Sequence, residues 1–91
     1  MKPNHEEVLV RALDVTVRRG EEEGLLLETL VGRYLLNSDA RAVWQQIDGR
    51  RSVREVAESV AAAQGEPVND LHEPVEAICT SLLGLRLVER W

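Results

Sequence analysis

Apolar residues along the chain follow two different spacings, one before and one after a single junction. In the first part Leu13, Val15 and Val17 alternate with polar residues, and a period of two is typical of a half-buried strand. In the second part apolar residues recur every three or four positions, as at Val43 and Ile47, which is typical of an amphipathic helix. The pattern therefore predicts an α+β chain in which strands come first and helices follow.

The first part of the chain is predicted to form a three-stranded antiparallel sheet. In its first strand Leu13, Val15 and Val17 form the inner face. The valines that precede Arg11 have the opposite parity, so either the strand begins near Arg11 or a bulge shifts its phase. The three strands are predicted at 13–17, Leu25–Glu28 and Arg33–Asn37.

Capping signals divide the rest of the chain into three helices. Ser38 is a good N-cap for the first helix, and Ser52 followed by Glu55 forms a capping-box pattern at the start of the second. Glycines are the natural stops, because they tolerate the left-handed backbone that ends many helices. The predicted helices run from Ser38 to Gly49, from Val53 to Gln64, and from a start between His72 and Pro74 to Gly84, before a brief extended return at Leu85–Val88.

The length of 91 residues predicts one domain over 1–91, with residues 1–7 loose. No apolar run approaches the roughly 20 residues needed to cross a bilayer. The N-terminus lacks the apolar segment of a secretory signal, so a cytoplasmic protein is expected. The single cysteine, Cys79, cannot form an internal disulfide, which agrees with a reducing compartment.

Few residues could carry catalysis. Cys79 falls in the apolar series of the third helix, where a free cysteine packs as a small hydrophobic side chain. His72 is seven residues away, about 10 Å along a helix, which is too far for a nucleophile and its base. No spacing of ligands predicts a metal site, and no glycine-rich loop predicts a phosphate site. The chain is expected not to be an enzyme and to need no cofactor.

A DNA-binding winged-helix protein is the alternative from another class. Three strands, three helices and a short return are compatible with a winged-helix-like arrangement, in which the third helix reads DNA. That helix carries Glu73 and Glu76 and has no Lys or Arg before Arg86. The net charge is −5, and the basic cluster within 50–54 is the one candidate phosphate clamp. Nucleic acid is therefore not the expected partner.

The third predicted strand suggests peptide capture instead. Tyr34 and Leu36 share one face and Leu35 lies on the other, while Arg33 is the one charge over residues 29–37 that could protect an edge. An extended peptide could pair with such an edge through main-chain hydrogen bonds. The residues alone leave two other interpretations open: the edge is covered within the fold, or it pairs with a second copy in a dimer.

Three motifs follow one another between residues 8 and 88: Gly32-Arg33-Tyr34-x-Leu36-Asn37-x-x-Ala40-x-x-Val43-Trp44, Asp48-Gly49-Arg50-x-Ser52-Val53-x-Glu55-Val56-Ala57 and Leu85-x-Leu87-Val88. Each motif alone is weak, but their order and spacing together are fairly specific. Together they resemble the PqqD-like family of small recognition elements for ribosomally synthesised and post-translationally modified peptides (RiPPs).

The resemblance implies a winged-helix-like fold and a peptide chaperone without catalytic activity. In that family the leader segment of a precursor peptide adds antiparallel to the third strand, in a groove walled by the third helix, and is presented to a modifying enzyme. Carried onto this chain, the docking edge is Arg33–Leu36. The residues predicted to bind the leader peptide are Val31, Arg33, Tyr34, Leu35, Leu36, Val75, Cys79 and Leu82.

The resemblance also indicates a subfamily. The Gly-Arg-Tyr-x-Leu-Asn form is similar to the discrete proteins of lasso-peptide pathways, whose partner is a leader peptidase. Proteins of pyrroloquinoline quinone synthesis work with a radical-SAM enzyme and commonly have a Pro-Glu-type turn, which residues 29–32 do not match. The lasso type is favoured. One departure is Leu85-Arg86-Leu87, where the family often has a glycine next to the terminal Leu-Val.

Overall fold

The computed structural model describes residues 3–18, 25–29 and 32–91. These residues form a three-stranded antiparallel sheet followed by three helices, which confirms the predicted α+β class. Two further short strands form a separate pair. The elements are β1 (Leu9–Arg11), β2 (Thr16–Arg18), β3 (Leu25–Glu28), β4 (Arg33–Leu36), α1 (Ser38–Gln46), α2 (Val53–Gln64), a 3₁₀ helix (Val68–Asp70), α3 (His72–Gly84) and β5 (Val88–Arg90).

The predicted first strand is in fact two strands, β1 and β2, with a turn between them. Leu13 lies in that turn and is fully exposed, so its predicted place on an inner face is wrong. The two strands have different partners, since β2 pairs with β3 and β1 pairs with β5. Val17 is 51% exposed, so its predicted place on an inner face is also wrong. Of the three predicted inner residues, Val15 packs against the core.

The chain's C-terminal return forms β5, which pairs antiparallel with β1 so that Leu9 lies opposite Arg90. This strand begins at Val88, where the predicted return ended. Leu87 and Val88 are buried, and Leu87 O accepts a hydrogen bond from Ala12 N at 3.1 Å. The strands β1 and β5, which are far apart in sequence, are therefore held together.

Local capping marks the start of α1 and both ends of α2. The α2 range and its capping box between Ser52 and Glu55 match the prediction, and Gly65 ends the helix with φ +68°. For α1 the N-cap is Asn37 and not Ser38, because the Asn37 side chain accepts a hydrogen bond from Ala40 N. That helix ends at Gln46, before the predicted stop at Gly49.

The hydrophobic core lies between the inner face of the sheet and the three helices. Val43 and Trp44 are buried on α1, as their helical spacing predicted. From the sheet, Leu27 and Leu36 reach the same core. The buried cluster comprises Leu9, Leu27, Leu36, Val43, Trp44, Ile47, Val53, Val56, Ala57, Val60, Val75, Cys79, Leu82, Leu87 and Val88.

The N-terminal residues 3–7, which were expected to be loose, are bound to the start of α2. Glu7 O accepts a hydrogen bond from Val53 N at 2.8 Å, and His5 O accepts one from Arg54 N at 2.9 Å. Pro3 is buried. Backbone hydrogen bonds of this kind order a terminal segment that composition alone would leave free.

Candidate binding groove

The β4 strand is one of the two outer strands of its sheet, with β2 on the opposite side, among the strands that the structure describes. Thr29 N donates a hydrogen bond to Gly32 O at 2.8 Å, and the same register pairs Leu27 with Tyr34. Antiparallel pairs alternate between residues that face the partner and residues that face away. The N–H and C=O groups of Tyr34 therefore point toward β3, while those of Arg33 and Leu35 point away from the sheet. We call these outward groups of Arg33 and Leu35 the open edge.

The side chains of β4 alternate as the sequence predicted. Leu36 is buried and Tyr34 is half-buried against the core. On the other face Leu35 is 62% exposed, and Arg33 Nε donates to Glu28 Oε2 at 2.9 Å across the two strands. The one charge near the edge is thus held by β3. No described residue forms a backbone hydrogen bond with the outward groups of Arg33 or Leu35.

A cavity of about 400 Å³ lies beside β4 and reaches α3. Three elements form it: the end of β4, the start of α1 and the outer face of α3. Its lining is mainly apolar. The lining residues are Leu35, Leu36, Asn37, Asp39, Ala40, Ala77, Ile78, Ser81, Leu82 and Leu85. We call this cavity the groove.

The structure separates the predicted leader-binding residues into groups. Leu35, Leu36 and Leu82 line the groove. Arg33 lies on the same strand without lining it, and Tyr34 lines a different cavity near Gly84 and Arg86.

The other three predicted residues do not reach the groove. Val75 and Cys79 are buried in the core and are absent from the groove lining. Val31 lies outside the described residues.

Sequence reasoning missed the side of α3 that faces the groove. Its core stripe is Val75, Cys79 and Leu82, whereas Ile78 and Ser81 each precede a core residue by one position. One position is a rotation of about 100° around a helix, so the groove face lies beside the core face. The sequence signal for the groove face was Ile78, an apolar residue beside the core stripe. It makes the apolar face of α3 wider than packing against the core alone requires.

Cys79 is a packing residue and not a nucleophile. It has no exposed surface. Burial, with a smaller contribution from the charge of Glu76, raises the pKa of its thiol to about 12. Because the thiolate is the reactive form, the thiol is inert near neutral pH.

The two histidines contact each other and not Cys79. The rings of His5 and His72 stack with their centroids 5.0 Å apart. His5 Nε2 lies 3.1 Å from Glu76 Oε2. Within the described ranges no group of three or more His, Cys, Asp or Glu side chains is arranged to hold a metal ion. No α-helix in this part of the chain is both long and apolar enough to cross a membrane.

The basic cluster at residues 50–54 is largely held by ion pairs. Arg51 Nη1 lies 3.6 Å from Asp48 Oδ2, and Arg54 Nη1 lies 2.6 Å from Glu6 Oε1. The backbone N–H groups of Arg51 and Arg50 donate to Asp48 and lower the pKa of its carboxyl. This arrangement stabilises a turn, and it leaves little free positive charge for phosphate.

Comparison with protein-family models identifies the family of this chain. The family model described as Coenzyme PQQ synthesis protein D (PqqD) matches residues 18–88. The match includes β4, α1 and α3, and hence every element of the groove. A search of curated proteins returns no match to the chain. The chain therefore belongs to the PqqD family, whose members are non-catalytic peptide-binding chaperones of RiPP biosynthesis.

Proposed function

We propose that this protein binds the leader segment of a ribosomally synthesised precursor peptide by strand addition at the open edge and presents it to a modifying enzyme. The observation that carries the proposal is the position of that edge. The outward backbone groups of Arg33 and Leu35 adjoin an apolar groove that α3 closes on its far side. A strand edge next to a groove is the combination that strand-addition binding sites use.

The open edge and the groove have different roles in binding. A peptide paired with β4 would lie about 4.8 Å from it and exchange hydrogen bonds with Arg33 and Leu35. Alternate side chains of that peptide would face the groove, where Ile78 and Leu85 offer apolar surface. The backbone contacts supply affinity that does not depend on sequence, and the groove selects apolar leader residues.

The partner enzyme is proposed to be the leader peptidase of a lasso-peptide pathway. The form Gly32-Arg33-Tyr34-x-Leu36-Asn37 and the absence of a Pro-Glu pair at 29–32 support this choice. A radical-SAM enzyme of pyrroloquinoline quinone synthesis is the alternative. The gene neighbourhood distinguishes them, since a protease gene or a radical-SAM gene beside a short precursor reading frame would identify the pathway.

Hydrogen exchange of individual amides tests strand addition without altering the chain. The probe is a peptide selected from an mRNA-displayed library of random peptides for binding to the protein. In the free protein the amides of Tyr34 and Leu36 should be protected by β3, while those of Arg33 and Leu35 should exchange freely. Peptide binding should protect Arg33 and Leu35. Unchanged exchange at both amides on saturation would exclude the open edge as the binding site.

Proline substitution provides a second test with a matched control. Leu35→Pro removes an N–H group that makes no bond to β3, so the sheet should form and peptide binding should fall at least tenfold. The control is Val17→Pro on the opposite outer strand. Val17 pairs with Leu27, whose backbone groups face β4, so the N–H of Val17 also points away from the sheet. A folded Leu35→Pro variant that binds as well as Val17→Pro would contradict the proposal.

Self-pairing of the open edge is the competing use of the same surface. A dimer formed through β4 would occupy the groove and exclude the peptide. Sedimentation velocity with and without the selected peptide separates the two. A monomer that binds one peptide supports leader recognition, and a stable dimer unaffected by peptide argues against it.

A further inference from the structure

We infer that the leader peptide extends beyond β4 into a second, acidic cavity and carries a Lys or Arg residue that occupies it. This inference rests on the proposed leader binding at the open edge. It adds a chemical requirement on the leader sequence, namely one basic side chain at a set distance from the segment that pairs with β4.

The second cavity lies between the three helices and has a volume of about 360 Å³. It adjoins the groove, because Asp39 and Ile78 line both. Its lining residues are Asp39, Val43, Val60, Gln64, Glu66, Asp70, Leu71, Pro74, Val75 and Ile78. We call it the acidic cavity.

The floor of the acidic cavity is apolar and its rim is negatively charged. Val43, Val60 and Val75 are buried beneath it. Asp39, Glu66 and Asp70 are exposed around it. None of these three carboxylates forms an ion pair with a described residue, and no Lys, Arg or His lines the cavity among the residues that the structure places there. The rim therefore presents three carboxylates without an ion pair to any described residue, around a hydrophobic depression.

A Lys or Arg side chain fits this combination better than other groups do. Its aliphatic stem can cover an apolar floor while its charged end stays in water beside carboxylates. A purely apolar side chain would leave the rim unused, and an acidic side chain would be repelled by it. Charge complementarity thus indicates a basic residue.

The path of the chain indicates where that basic residue lies in the leader. Beyond the end of β4, Asn37 caps α1 and Asp39 occupies its first turn. The acidic cavity therefore lies past the C-terminal end of β4. A peptide antiparallel to β4 passes that end with its own N-terminal residues. In an antiparallel leader the basic residue should therefore precede the segment that pairs with β4. In a leader parallel to β4 it would follow that segment.

Selection of displayed peptides on charge variants tests the inference. An mRNA-displayed library of random peptides is selected on the wild-type protein and on a triple variant, Asp39→Asn, Glu66→Gln and Asp70→Asn. A matched triple variant, Glu58→Gln, Glu73→Gln and Glu89→Gln, removes three exposed carboxylates that line neither the groove nor the acidic cavity. Peptides selected on the wild type and on the control should carry Lys or Arg at one position. Those selected on the first variant should show no such preference.

A substitution in the peptide gives a readout that does not depend on folding of the variants. Replacing the enriched Lys or Arg of a selected peptide with Gln should weaken its binding to the wild-type protein about threefold to fivefold, as the loss of an ion pair at a solvent-exposed rim does. The same replacement should change binding to the Asp39, Glu66 and Asp70 variant less than about twofold.

Other outcomes would overturn the inference in distinguishable ways. If the selected peptides require the open edge but show no preference for Lys or Arg, the inferred basic residue is refuted, while the proposal of leader binding at the open edge stands. A basic preference that both triple variants weaken equally would indicate general attraction to a negatively charged protein. If the Leu35→Pro substitution weakens the binding of none of the selected peptides, the proposed function is refuted. The acidic cavity would then have no leader to bind.

Discussion

The guanidinium carbon of Arg11 lies 4.1 Å from the centroid of the Trp44 indole ring. The same guanidinium donates hydrogen bonds to Trp44 O at 3.4 Å and to Gln45 O at 3.0 Å. The last turn of α1 has no basic residue of its own, so β1 supplies the positive charge that stabilises a helix C-terminus. One side chain of β1 thereby holds the end of the helix whose first turn borders the groove.

Loss of the Arg11 side chain should destabilise the fold. Arg11→Ala removes a cation over an aromatic face and two donors to helix carbonyls, which together contribute about 1–2 kcal/mol to the free energy of unfolding. Urea denaturation measures the change, with Arg50→Ala as the control because the Arg50 side chain is exposed and lacks these contacts. Equal effects of the two substitutions would show that the Arg11 contacts contribute nothing to stability.

The N-cap of α1 can be assigned by two adjacent substitutions. Asn37 Oδ1 accepts a hydrogen bond from Ala40 N at 2.9 Å, so Asn37→Ala should lower the free energy of unfolding by about 1 kcal/mol. Ser38→Ala should change it by less than about 0.5 kcal/mol, because Ser38 lies inside the helix. Thermal or urea unfolding of both variants gives the comparison. If Ser38→Ala lowers the free energy of unfolding more than Asn37→Ala does, Ser38 is the N-cap, as the sequence predicted.

Arg86 should be replaceable by glycine with a gain in stability. It has φ +60° after the end of α3, a left-handed conformation that costs a residue with a Cβ about 1 kcal/mol. Arg86→Gly should therefore raise the free energy of unfolding by about 0.5–1 kcal/mol. Arg86→Ala, which removes the side chain but keeps the Cβ, should give no such gain. Equal unfolding midpoints for the Gly and Ala variants would show that backbone strain is not the cause.

Stability should fall at high pH because of Cys79. Burial raises the pKa of this thiol from 9.0 to about 12, so the folded protein retains a proton that the unfolded chain releases. Its contribution is fully present below pH 9 and is lost as the pH rises toward 12, with a slope of at most about 1.4 kcal/mol per pH unit. Urea unfolding between pH 8 and pH 10.5, measured in wild type and in Cys79→Ala, isolates this slope. Identical slopes in both proteins would contradict the assignment.

Local sequence signals predicted the elements that depend on neighbouring residues. The capping box at Ser52 and the glycine at Gly65 bound α2 at both ends, since caps act within one helical turn. The alternation of Tyr34, Leu35 and Leu36 predicted the faces of β4. Each of these features depends on a few neighbouring residues, so it can be predicted without the rest of the fold.

Other features depended on residues far apart in the chain. The pairing of β1 with β5 joins Leu9 to Arg90, and three-residue strands carry too little pattern to identify a partner. The same limitation affected the candidate site. Periodicity identified the apolar stripe of α3 but not which neighbour each face contacts. The family resemblance was therefore carried onto Val75 and Cys79, which lie in the core, and not onto Ile78, which lines the groove.

The sequence by itself determined the α+β order of elements, a strand that begins at Arg33, the span of α2 and the motifs of the PqqD family. Propensity, capping and alternation act over a few residues, so they can be recognised without the fold. Only the tertiary structure decided which backbone groups of β4 point away from β3, that Ile78 lines the groove beside them, and that Asp39 lines both the groove and the acidic cavity. Those relationships arise from packing between segments distant in sequence, where each helix face is chosen by the surface that it buries.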